Sequence, residues 1–118
     1  MSKQAGLRAP DYLGHILTAI ERVALYTDRI DEAEFTSNLQ VQDAVLRNIE
    51  VMGEAARNVQ RVAPDLVRAH ADIPWAAMVA MRNRLTHGYM TVDLPLVWKT
   101  AREDLPILAQ SIAALLSA

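Results

Sequence analysis

A chain of 118 residues with a formal charge of −2, 52% apolar and 22% charged, fits one globular domain and excludes a disordered chain. It has no cysteine, which excludes a disulfide framework, a thiolate zinc site and a cysteine nucleophile, and fits a reducing, cytoplasmic compartment. The slight acidity excludes a broad basic surface, so any contact with nucleic acid must rest on a local patch.

No run of eighteen apolar residues is present, so no membrane-spanning helix is expected. Residues 1–9 carry a few cations but no apolar stretch. They read as a flexible lead-in, not a secretory signal, before one domain over 10–118. The first helix is expected from about Pro10 to Thr27, with an apolar stripe of Leu13, Ile16, Leu17, Ile20 and Ala24; proline suits a first helical turn, where its missing N–H has no partner anyway. Asp31 can cap a short turn through Phe35. The second helix, about Leu39 to Ala63, repeats Val41, Val45, Ile49, Met52, Ala56, Val59 and Ala63 at helical spacing, with Ser37 or Asn38 as cap and Pro64 as stop. Gly53 in its middle costs roughly 1 kcal/mol against alanine, which a close helix–helix approach would explain.

A short helical piece from Pro64 to His70 leads to the third helix, near Pro74 to His87, with Gly88 in the position that follows a helix end. The fourth starts after Asp93, buries Val97, Ala101, Leu105, Leu108, Ile112 and Leu115 or Leu116, and is kinked or split at Pro106. Strand signals are lacking. The fold class is therefore all-α, an antiparallel bundle of four to five helices. Leu46, Val51, Val62 and Ile107 add apolar surface beyond one stripe, which points to a homodimer.

The chemistry-bearing residues crowd the end of the third helix, Arg82-Asn83-Arg84-Leu85-Thr86-His87-Gly88-Tyr89. Arg82 and Tyr89 lie about two turns apart, whereas His87 sits roughly 140° around the helix from Arg82. One helix does not aim Arg82 and His87 the same way, but two facing helices in a two-fold dimer could. Spacing alone also fits a plainer account, in which Arg84 and His87 favour the negative end of the helix and Tyr89 covers the core. Lys99 and Arg102 extend the local cation excess, against Asp93 alone between Arg82 and Arg102, and equally suit a solvated helix face. Glu54 is a candidate partner fixing the Arg82 fork, or an ordinary surface carboxylate. His15 reads as an edge-of-core histidine, His70 as surface, and Trp75 and Trp98 as core or dimer contacts.

The spacing of Arg82, His87 and Tyr89 resembles the R-x4-H-x-Y signature of HepT-type toxins in the HEPN superfamily. Further segments match that family in kind and order: Asp11-Tyr12-Leu13 with His15-Ile16-Leu17, Asn48 to Ala56 around Gly53-Glu54-Ala55, Ile73-Pro74-Trp75, Met81-Arg82-Asn83, and Val92-Asp93 before Val97-Trp98. The similarity covers about residues 11–110. It implies an all-α homodimer with a metal-independent endoribonuclease site at the dimer cleft, acting on RNA such as tRNA or mRNA without a cofactor. It also implies a toxin–antitoxin system of type VII character. The partner would be a nucleotidyltransferase antitoxin of the MntA kind, which adds AMP to the motif tyrosine, here Tyr89.

The side chains suit such chemistry. RNA carries its own nucleophile, the 2′-hydroxyl, so cleavage needs a base, an acid and positive charge at the phosphate. Histidine gives or takes a proton near neutrality, and arginine grips phosphate oxygens with two prongs. His87 is thus the expected acid or base, Arg82 the phosphate clamp, Asn83 a polar helper and Tyr89 a substrate contact or modifiable hydroxyl. Arg84, Lys99 and Arg102 are candidate RNA contacts. No His/Asp/Glu set has metal-ligand spacing. The rival is a non-catalytic helical subunit that docks a nucleotidyltransferase. A nucleotide-binding module is disfavoured by the lack of a glycine-rich phosphate loop.

Overall fold

The computed structural model describes residues 7–87 and 92–118, and among these there are helices and no strands. The order is α1 (Ala9–Thr27), α2 (Glu32–Ser37), α3 (Leu39–Val62), α4 (Pro64–Ala69), α5 (Trp75–His87), α6 (Leu94–Lys99), a π-helical turn over Thr100–Asp104, and α7 (Leu105–Ser117). α2, α3 and α6 begin where a local side chain satisfies a free N–H group. The Asp31 carboxylate accepts from the Glu34 amide at 2.9 Å, Asn38 Oδ1 from the Val41 amide at 3.1 Å, and Asp93 Oδ1 from the Leu96 amide at 3.1 Å. Asp11 reaches back to accept from the Arg8 amide at 2.8 Å.

α3 is the central element, packed along α1 on one side and α5 on the other, while α7 closes against α1. Its buried Val45, Ile49, Met52, Ala56 and Val59 recur every three or four residues and meet Leu13, Ile16, Ile20 and Val23 of α1 in one core. The α1 stripe is rotated from its expected position: Ala24 is exposed and Val23 is buried in its place. α1 packs against α3, α7 and the π-turn, so more than one stripe of it is covered. Leu46 and Val51 are half-buried on α3, whereas Val62 and Ile107 are exposed. No helix is long and apolar enough to cross a membrane among the described residues.

Proline 106 divides the last long helix, by a π-turn. Its ring has no N–H and would collide with the carbonyl four residues back. The chain accommodates this by widening the preceding turn, so that the Leu105 N–H donates to the Thr100 carbonyl, five residues back. Val97, Ala101, Leu105, Leu108 and Ile112 nevertheless stay buried across the junction. Two tryptophans serve the core. Trp75 is buried and its Nε1–H donates to the His70 carbonyl at 3.0 Å; Trp98 is half-buried with its ring 5.4 Å from Phe35.

Gly53 marks the tightest point. It is buried at the α3–α5 crossing, and a Cβ there would stand 2.2 Å from Arg82 Cβ and 2.6 Å from the Met78 carbonyl oxygen. Only a residue without a side chain lets the two backbones approach this closely. That contact sets where along α3 the polar end of α5 comes to rest.

Candidate functional site

Arg82 leaves α5 beside Gly53 and turns along α3. Its Nη2 lies 3.3 Å from Glu54 Oε2, and its Nη1 donates to Asn83 Oδ1 at 2.9 Å. The arginine side chain is 25% exposed and that of Glu54 48%, so the guanidinium is held but still reachable from solvent. Glu54, which the sequence left as either a partner of Arg82 or an ordinary surface carboxylate, forms an ion pair with it. The pair exists because Gly53 and Glu54 are neighbours: the glycine admits α5, and the next side chain meets the arginine that arrives.

Around this pair opens a groove of about 260 Å³, lined by Tyr12, His15, Arg47, Glu50, Glu54 and Arg82 among others. His15 is exposed, with its ring edge-to-face against Tyr12 at 5.9 Å and 86°. Tyr12 itself is buried, and its hydroxyl accepts from Arg61 Nη2 at 3.5 Å. Sequence reasoning placed His15 at the edge of the core and passed over Arg47 and Glu50. The available signal was the spacing of Arg47, Glu50 and Glu54 on one face of α3, but nothing local places His15 of α1 opposite that face.

His87, the last residue of α5, is exposed and borders a different cavity, of about 430 Å³, with Asn83, Arg84, Asp93, Leu96 and Met81. Arg82 and His87 therefore open onto separate cavities within one chain, as their 140° offset around the helix requires. Asn83 joins the two: it lines the His87 cavity while its Oδ1 takes a hydrogen bond from Arg82. Arg84 is exposed on the same cavity wall. Gly88 and Tyr89 lie outside the described residues.

The remaining cations are placed elsewhere. Lys99 Nζ lies 3.5 Å from Asp104 Oδ1 across the π-turn. Arg102 Nη1 donates to the Thr27 carbonyl at 3.4 Å and to Thr27 Oγ1 at 3.3 Å, and its guanidinium lies 5.8 Å from the Trp98 ring. Arg102 thus ties the π-turn to the end of α1, where the helix presents its negative pole. His70 is half-buried at the end of α4, and its carbonyl is engaged by Trp75. Among the described residues no three histidine, aspartate or glutamate side chains gather as metal ligands would.

The molecule is in these terms a small helical bundle whose arginine, asparagine and histidine occupy one helix end beside a glycine-admitted ion pair. The model of the family described as Ribonuclease HepT-like matches residues 16–115. A protein named "Probable ribonuclease HepT" from Thermococcus cleftensis is 41% identical over 98 residues, covering 83% of this chain and 86% of the relative. "Putative RNase MJ1380" from Methanocaldococcus jannaschii is 35% identical over 101 residues, covering 86% and 90% respectively. No solved structure matches the chain significantly. The chain belongs to the HepT-like ribonuclease family of HEPN proteins.

Proposed function

We propose that this chain is a metal-independent endoribonuclease, the toxin of a toxin–antitoxin pair, and that its catalytic cleft forms between two copies of the chain. The observation that carries this reading is the fixed, solvent-reachable Arg82, held by Glu54 and hydrogen-bonded to Asn83, five residues before an exposed His87 in a chain of the HepT-like family. Arg82 clamps the scissile phosphate, and its charge offsets the negative charge that builds on the phosphate oxygens as the 2′-hydroxyl attacks. His87 takes the 2′-hydroxyl proton or gives one to the departing 5′-oxygen. Asn83 steers the guanidinium and offers its amide N–H groups to the phosphate.

Arg82 and His87 face different cavities in one protomer. A two-fold pairing of α5 ends supports their meeting, because it sets the His87 of one copy beside the Arg82 of the other. The partner of the pair is a nucleotidyltransferase antitoxin of the MntA kind, which silences the toxin by adding AMP to Tyr89, two residues beyond His87. Such an adduct adds bulk and a phosphate charge next to the site that must receive the RNA phosphate.

The deciding experiment is RNA cleavage in excess chelator by the parent protein, Arg82→Ala and His87→Ala. The parent is expected to cut, and each variant to lose activity by about a hundredfold or more. Equal cutting by all three would overturn the nuclease reading. The separation of Arg82 and His87 within one chain is also compatible with a non-catalytic subunit that docks a nucleotidyltransferase. That reading requires no cleavage by any of them.

A further inference from the structure

The groove around Arg82 has more chemistry than a phosphate clamp uses. Arg47 and Glu50 of α3 and His15 of α1 all border it. Among the described residues no ion pair engages Arg47 or Glu50, whereas Glu54 is taken by Arg82. A site meant for phosphate alone would be lined by donors and cations. This one sets a half-buried carboxylate, Glu50, beside an exposed guanidinium, Arg47, and a flat imidazole at the rim. Such a mixture of acceptor, donor and stacking surface matches the edge and face of an unpaired nucleobase, which proteins read in single-stranded RNA.

We infer that this groove holds the base of a nucleotide next to the cut phosphate, and that Glu50 selects a base bearing an exocyclic amine. The inference rests on the nuclease reading, because Arg82 is the common wall of groove and catalytic cleft. A carboxylate accepts hydrogen bonds only. Guanine, adenine and cytosine each present an amine to it, and guanine adds an adjacent ring N–H. Uracil has one ring N–H between two carbonyls, so its oxygens face the carboxylate and repel it. Arg47 supplies donors for ring nitrogens or carbonyls of the accepted base. The His15 ring, its plane set by Tyr12, gives the base a surface to lie on. The groove, of about 260 Å³, has room for one base.

The test has two arms. In the first, a randomised RNA decamer library is cut by the parent and by Glu50→Gln, Arg47→Ala and His15→Ala, and the cut ends are sequenced. The parent is expected to deplete uracil at one position adjacent to the cut. Glu50→Gln is expected to lose that depletion, because an amide offers a donor as well as an acceptor. Arg47→Ala and His15→Ala are expected to raise KM about five- to tenfold. Identical cut-site distributions and KM values in the parent and all three variants would overturn the inference.

In the second arm, 2′-fluoro decamers of cytidine or uridine, which lack the nucleophile, are titrated against the parent and Glu50→Gln. The parent is expected to favour the cytidine decamer about five- to tenfold, and the variant to bind both alike. Equal binding by the parent refutes the base pocket. This arm reads the groove without cleavage, so it separates failure of the base pocket from failure of the nuclease reading. The latter would show as undiminished cutting by Arg82→Ala and His87→Ala.

Discussion

Arg82 Cβ sits where a side chain at Gly53 would be, 2.2 Å from the position of a Cβ built on that glycine. The helical cost of glycine is therefore offset by a helix crossing that presses Arg82 towards Glu54. Gly53→Ala should gain about 1 kcal/mol of helix propensity and lose more through overpacking, typically about 1–3 kcal/mol, because the Met78 carbonyl at 2.6 Å cannot yield as a flexible side-chain tip can. Urea denaturation should show net destabilisation, and RNA cleavage should fall with it as α5 is pushed off α3. An unchanged or raised midpoint would mean that the crossing relaxes freely.

Glu54 separates stability from activity. Its carboxylate is about half-exposed, and its ion pair with Arg82 at 3.3 Å lies at the surface, where such pairs contribute about 0–1 kcal/mol. Glu54→Gln should leave the melting temperature within a few degrees. Cleavage should drop, because the guanidinium loses the partner that orients it. A Glu54→Asp variant, retaining charge on a shorter stem, should recover only part of the rate.

Mixing Arg82→Ala with His87→Ala tests whether the site is shared between copies. If Arg82 of one protomer works with His87 of the other, co-refolded Arg82→Ala and His87→Ala should regain roughly a quarter of parental activity, since half the dimers are mixed and each has one intact site. Sites confined to single chains would give no recovery. Sedimentation of the parent over a dilution series measures directly whether it dimerises.

Tyr89 is expected to gain the mass of AMP when the protein is co-expressed with a nucleotidyltransferase antitoxin and ATP is present, detectable in the peptide spanning the motif by mass spectrometry. Tyr89→Phe should escape that modification and remain toxic. Neutralisation of Tyr89→Phe as complete as that of the parent would show inhibition by binding alone.

Arg102 should behave as a structural residue. It bonds Thr27 twice and lies by the Trp98 ring, contacts worth together about 1–2 kcal/mol. Arg102→Ala should lower thermal stability by that amount, and the salt dependence of RNA binding should be unaltered. A shallower salt dependence, by about one phosphate contact, would return Arg102 to the RNA surface.

Sequence alone determined the elements. Helix boundaries at Asp31, Asn38, Pro64 and Asp93 followed from caps and prolines, and the buried faces of α3 and the C-terminal helix followed from period, because both are properties of neighbours along the chain. It also singled out Arg82, Asn83, His87 and Glu54 as candidates for chemistry, and marked Gly53 as a place of close packing. Which side chains meet depends on how the helices pack. The burial of Val23 and exposure of Ala24 on α1 follow from the elements packed on it, α3, α7 and the π-turn, which lie far away in the chain. Arg102 reads from the sequence as a candidate RNA contact or a solvated face, and the π-turn before Pro106 brings its guanidinium to Thr27. His15 and Glu50, thirty-five residues apart in sequence, share a groove with Arg82 because α1 and α5 both pack on α3. The reason is general: periodicity fixes which face of a helix is buried, whereas the relative height and angle of two helices are set by contacts between residues far apart in the chain, such as Gly53 against Arg82.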